Sequence, residues 1–344
     1  MNIAEQLKAE AARRILIKDG AYGTQVQARG LAEADYRGTL SVGRDQKGNN
    51  DLLNLTRPEI IGDIAEAFAL AGADILATNS VNANRISQAD YGAEDLVGEM
   101  NAAAARIIGE VADRHAQADG RKRWIAGALG PTNKTLSLSP NVNDPGYREI
   151  DFDLLSDVYV EQIEGLVEGG AEIVLIETVF DTLNAKAAIH AARRVDPALP
   201  IMLSMTITDL SGRNLSGHSI EAFWASIRHA RPLSVGLNCS FGAAQLRAHV
   251  ASLSAVADTL IMAYPNAGLP NDLGQYDEGP ETTAAQVREW AEQGIVNIVG
   301  GCCGTTPDHI AAIAETVQGY APRQLPTPAR RTRLAGIEPM VLAA

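Results

Sequence analysis

The chain has 344 residues, 46% hydrophobic and 21% charged, with 31 glycines and a formal net charge of −13. That composition suits a folded chain with room for one large core or two smaller domains, and its acidity excludes nucleic acid or an anionic membrane as the main partner. No apolar block long enough for a membrane span or a secretion leader is present, and three cysteines in such a length point to a reducing, cytoplasmic setting instead of a disulfide framework.

Residues 1–14, rich in Ala, Glu and Lys, read as an amphipathic helix. A first short strand at 15–17 runs into Asp19-Gly20-Ala21-Tyr22-Gly23-Thr24. A helix is expected from about residue 57, opened by Thr56 and Pro58. The second strand is expected at 74–79 and an Ala-rich helix at 94–116. The third strand, 124–129, leads into Gly130-Pro131-Thr132-Asn133, and a helix covers 153–168. The fourth strand, 173–178, carries Glu177 near its end and is followed by a helix at 182–194. Strand five is expected at 200–206, then a helix at 219–230 and a sixth strand closing at Cys239. A helix at 243–255, strand seven at 260–266 and a helix at 283–293 follow. The eighth strand, 295–299, feeds into Gly300-Gly301-Cys302-Cys303-Gly304. The last helix, 308–318, has a Thr306 cap and Pro307 in its first turn.

Continuous apolar strands alternating with helices predict a parallel sheet buried on both faces. Eight such units predict an α/β fold, a single (β/α)8 TIM barrel spanning residues 1–325. Neither G-x-G-x-x-G after the first strand nor G-x4-G-K-[ST] occurs, which disfavours an open doubly wound sheet with a nucleotide. The connections after strands are long and polar, at 19–54, 130–151 and 266–282, whereas those back from helix to strand are short. In a barrel the long loops share the C-terminal face, where chemistry sits. The stretch 136–147 is expected to be a flap over that mouth or a solvated loop.

All three cysteines close predicted strands, Cys239 the sixth and Cys302-Cys303 the eighth. Adjacent cysteines make a strained disulfide, but both can reach one soft metal ion as thiolates. Three thiolates converging from strand ends make an open site with one position left for substrate. Singly, each cysteine reads as a small buried hydrophobe. The six histidines, His115, His190, His218, His229, His249 and His309, lie in helical or loop context and read as surface or cap residues.

Gly-Leu-Asn238-Cys239 followed by Gly-Gly-Cys302-Cys303-Gly-Thr-Thr-Pro resembles the zinc signature of the homocysteine S-methyltransferases. Asp19-Gly20-Ala-x-Gly-Thr and Ile176-Glu177-Thr178 are similar to the same family. Gly130-Pro131-Thr132, Phe180-Asp181-Thr182 and Tyr264-Pro265-Asn266-Ala267-Gly268-Leu269-Pro270 resemble more narrowly the N-terminal homocysteine module of cobalamin-dependent methionine synthases. Tyr22 departs from that pattern, which commonly has Met there. Residues 326–344 resemble the linker into a folate module, so the chain resembles either a separate subunit or an excised module.

The resemblance implies a zinc-dependent methyltransferase that turns homocysteine into methionine. Cys239, Cys302 and Cys303 would hold Zn2+, with Asn266 as fourth ligand when substrate is absent and Asn238 orienting the site from behind. Asp19 and Glu177 would meet the substrate ammonium, and the Gly20 and Ala21 amides its carboxylate. The methyl donor would be methylcobalamin on a cobalamin- and folate-binding partner; the alternative is direct use of S-methylmethionine or betaine. Chemically, a thiol with a pKa near ~8.5 needs help to ionise at neutral pH, which a Lewis-acidic metal gives. Three thiolates on a divalent ion leave a net charge of about −1, or about −2 with the substrate sulfur, and this keeps that sulfur electron-rich. A zinc-storing or redox-sensing thiol protein is the reading outside methyl transfer.

Overall fold

The computed structural model describes residues 1–327 and 331–342. Eight strands form one sheet: β1 (Leu16–Ile17), β2 (Ile75–Ala77), β3 (Trp124–Leu129), β4 (Ile173–Val179), β5 (Ile201–Met205), β6 (Ser234–Gly242), β7 (Leu260–Asn266) and β8 (Ile298–Val299). Every pairing is parallel, and the order β1-β8-β7-β6-β5-β4-β3-β2 brings first and second strands to the two edges. Those edges meet through a parallel bridge between Lys18 and Ile75 and through Asp74 N to Ile17 O at 2.7 Å. The (β/α)8 barrel is thereby closed.

Side chains alternate along each strand, and the alternation sorts the apolar residues into two cores. Leu16, Ile75, Met202, Met262, Tyr264 and Ile298 fill the barrel interior together with Leu7 and Ala11 of the helix Ile3–Ala11, which plugs the N-terminal end. Their neighbours Ile17, Leu76, Leu203, Ile261, Ala263 and Val299 point outward to the helices. The same parity turns Lys18, Glu177, Asn238 and Asn266 inward at the C-terminal mouth.

Several elements differ from the sequence expectation for physical reasons. Only residues 298–299 of the expected eighth strand pair; Ile295 instead closes the turn behind the helix Pro280–Glu292 by donating to Trp290 O. Thr56 does not open the helix Pro58–Leu70; its Oγ1 donates to Leu52 O and it ends the short helix Leu53–Thr56. The connection at 19–54 is not plain loop but holds the helices Tyr22–Gln27 and Glu33–Arg37, too short to show a periodicity. Residues 136–147 are mostly exposed, with their start pinned by Leu136 N to Asn184 Oδ1 and Ser137 N to Asp181 Oδ2. In the tail, β9 (Arg333–Ala335) and β10 (Pro339–Val341) form an antiparallel hairpin docked through Ser219 N to Ile337 O at 2.9 Å. Of the expected linker at 326–344, residues 328–330 and 343–344 lie outside the described residues.

Asp51 provides a stability test. Its buried carboxylate accepts Asn82 N at 3.0 Å, and burial pushes its pKa up to about 7. The folded state therefore binds this proton more tightly than the unfolded chain, whose aspartates titrate near ~4. The associated stability is complete below that value and is lost as pH rises through about 7. Asp51→Asn is expected to flatten this decline and to exceed the parent at pH ~8 by on the order of 2 kcal/mol. Urea midpoints between pH ~5 and ~8 read it out; parallel pH curves for the two proteins would refute the assignment.

Candidate metal centre

The three cysteines meet at the C-terminal mouth. Their sulfurs all lie within 4.8 Å of one another, and Cys239 Sγ is 3.9 Å from Cys303 Sγ. All are half-buried free thiols.

Strand regularity alone would not aim Cys239 there. By alternation Asn238 points in and Cys239 out, but the β6–β7 register slips between Asn238 and Gly242. Cys239 and Ser240 take φ of 61° and 62°, a left-handed conformation costing roughly 1–3 kcal/mol per non-glycine residue. This bulge turns the thiol inward. A second slip follows Ile176 on β4, where Thr178 has φ 58°.

The pair is set by the turn after β8. Cys302 N donates to Pro265 O at 2.7 Å, and Thr305 Oγ1 returns to Cys302 O at 2.6 Å. Gly300 passes so close to β1 that an added Cβ would sit 2.6 Å from Lys18 O. Gly304, at φ +80°, lies against the Tyr276 ring and has no space for a side chain. Thr306 caps the helix Pro307–Val317 as expected. His309 faces away from the sulfurs: Nδ1 meets Thr306 Oγ1 at 2.9 Å and Nε2 meets Glu278 O at 2.9 Å. Among the described residues no histidine joins the cluster.

The cluster holds negative charge by itself. Hydrogen bonds from the Cys302 and Cys303 thiols pull Cys239 well below the ordinary thiol range, and those two are pushed up in return. A tetrahedral zinc with sulfurs at about 2.3 Å has sulfur–sulfur edges of about 3.8 Å, so the three positions fit that ion. Asn266 ends β7 beside them, and its side-chain oxygen is buried without a partner among the described residues. Asn238 Nδ2 lies 3.7 Å from Cys302 Sγ and is fixed by Thr178, through Oγ1 at 2.9 Å and through Thr178 N to Asn238 Oδ1 at 3.0 Å.

The other expected residues lie around the same mouth. Glu177 lies near the C-terminal end of β4, 8% exposed, and accepts the Tyr264 hydroxyl on Oε2 at 3.0 Å. Burial is the main reason its pKa is raised. Asp19 is fully buried, with Oδ1 taken by Lys18 Nζ at 2.8 Å and Oδ2 by Ala77 N at 2.7 Å. The Gly20 and Ala21 amides have no acceptor among the described residues. Gly20 is tightly enclosed, its missing Cβ only 2.7 Å from the Phe68 ring. Sequence reasoning passed over Lys18 and the hydroxyl of Tyr264. Lys18 carried the same signal as Glu177, a charge closing an apolar strand; Tyr264 stood in the 264–270 likeness, but nothing there marked its hydroxyl.

Comparison with known proteins agrees with this geometry. The homocysteine methyltransferase MmuM of Escherichia coli has the same fold in its oxidised form, with TM-score 0.71 and 19% identity over 91% of this chain and 99% of that one. Its metallated form gives TM-score 0.70 at 19% identity over 90% and 98%. The profile of the homocysteine S-methyltransferases matches residues 16–317, and the chain belongs to that family.

Proposed function

We propose that the protein activates homocysteine on a zinc ion held by Cys239, Cys302 and Cys303, for methyl transfer giving methionine. The observation that carries this is the convergence of three sulfurs within 4.8 Å at the open end of the barrel. Bound there, zinc would supply the Lewis acidity that stabilises the substrate as a thiolate at neutral pH. Asn266 closes the fourth position before substrate arrives, and Asn238 holds Cys302 in place from behind. Glu177 meets the substrate ammonium, Asp19 adds to the negative field beneath it, and the Gly20 and Ala21 amides take the carboxylate.

Methylcobalamin on a partner is the donor in this reading, regenerated from 5-methyltetrahydrofolate. The long likeness around residues 264–270 to the cobalamin-dependent branch supports it. Residues 1–325 then form the homocysteine barrel and 326–344 the link toward a folate module, in a cytoplasmic protein. The test is methyl transfer to homocysteine from added methylcobalamin, with S-methylmethionine and betaine as controls. Turnover with either control and none with the corrinoid would replace the donor assignment.

Glu177→Gln keeps the shape and removes the charge. It should raise the homocysteine KM by roughly 10- to 100-fold, because a charge-assisted hydrogen bond is worth about 1.5–3 kcal/mol. Zinc content should be unchanged. A parent-like KM would remove Glu177 from the ammonium site.

A further inference from the structure

Directly after the first strand stands a cation that the chemistry above does not use. Lys18 is the one lysine buried among the described residues, with its side chain 4% exposed. Its Nζ lies 2.8 Å from Asp19 Oδ1 and 4.7 Å from the centre of the Tyr264 ring. The Tyr264 hydroxyl in turn donates to Glu177 at 3.0 Å. Alternation along β1 sends Lys18 inward with Leu16, so the ammonium stands inside the barrel just below the mouth. Burial works against its charge, but Asp19, Glu177 and the Cys302 sulfur outweigh that penalty and hold it protonated. Among the described residues, the other ionisable groups at this mouth include three sulfurs and the carboxylates of Asp19 and Glu177.

Resting on the homocysteine reading above, we propose that Lys18 is the internal counter-charge that makes the site prefer homocysteine, bound as a thiolate, over the thioether product. Homocysteine and methionine share the same ammonium and carboxylate and differ at sulfur. On binding, the S–H bond of homocysteine breaks, its electron pair stays on sulfur and the proton leaves to solvent. The bound ligand thus brings one more negative charge into a cup already rich in them. A fixed positive charge in a low-dielectric interior lowers that energy. It gives no comparable gain to a neutral thioether sulfur, so product is released from a site that retains substrate. Tyr264, with its ring against the Lys18 ammonium and its hydroxyl on Glu177, holds the cation beside that carboxylate.

The test compares dissociation constants for homocysteine and methionine on the zinc-loaded protein, with zinc content measured alongside. Lys18→Gln removes the charge and keeps a donor for Asp19; Lys18→Met is the second neutral variant should the first fold poorly. The expected result is a fall of roughly tenfold or more in the preference for homocysteine over methionine, with a full equivalent of zinc retained. Equal weakening of both ligands would show that Lys18 only packs the floor, and an unchanged ratio would show that its charge is not felt at sulfur. Either overturns the proposal. Failure of the parent itself to place homocysteine sulfur on zinc would strike the proposed function, and is seen before any variant is made.

Discussion

Cys302→Ala is expected to hold under about a tenth of an equivalent of zinc and to lose methyl transfer by on the order of 10³-fold. Zinc sites built from cysteine and histidine bind with about 10–16 kcal/mol, so one ligand of three or four accounts for roughly 3–4 kcal/mol. Of the three proposed ligands, Cys302 is held by the most contacts. Its amide is tied to Pro265, its carbonyl to Thr305 and its sulfur to Asn238 Nδ2. Its side chain also packs on the interior core cluster. The loss of packing is small for a thiol, and Cys302→Ser separates it from loss of the ligand. Both variants should melt close to the parent in chelator, because the metal-free proteins differ by one buried atom. Zinc analysis and single-turnover transfer from methylcobalamin read the outcome. A variant that keeps zinc and rate would remove Cys302 from the centre.

The second large effect concerns stability. Asp74 lies at the N-terminal rim where β1 and β2 close the barrel, and it is fully buried. It accepts Arg14 Nη1 at 2.7 Å, Arg14 Nη2 at 2.8 Å, Arg121 Nη2 at 2.7 Å and Ile17 N at 2.9 Å. Asp74→Ala leaves the buried Ile17 amide unpaired and takes one carboxylate from Arg14, which keeps Glu10, and from the half-exposed Arg121, and should destabilise the fold by about 2–4 kcal/mol. Denaturant unfolding gives the value. Asp74→Asn should recover part of it, since one acceptor oxygen remains for Ile17. A loss below about 1 kcal/mol in the alanine variant would mean that other contacts hold the seam.

The alternation of apolar strands with helices made the barrel legible from the chain, because a parallel strand buried on both faces can hardly be anything but continuous and apolar. The same pattern put Cys239, Glu177 and the vicinal cysteines at strand ends, and their chemistry did the rest. Three kinds of information were not there. The short helices at 22–27 and 33–37 have too few turns to show a period. The slips in β4 and β6 occur at Thr178, Cys239 and Ser240, none of which is a glycine that would mark a positive φ. Tyr264 looks like core and only its hydroxyl, 3.0 Å from Glu177, shows otherwise.

By itself the sequence determined the fold class, the face that bears the loops and which sulfurs are available, since each follows from local periodicity and residue type. The tertiary structure decided that Cys239 turns inward by a backbone distortion, that Asp19 is engaged by Lys18 and Ala77, and that the Lys18 ammonium is buried beneath the cup. Those are relations between strands far apart in the chain. Their directions are set by closure of the barrel, which no local stretch of residues encodes.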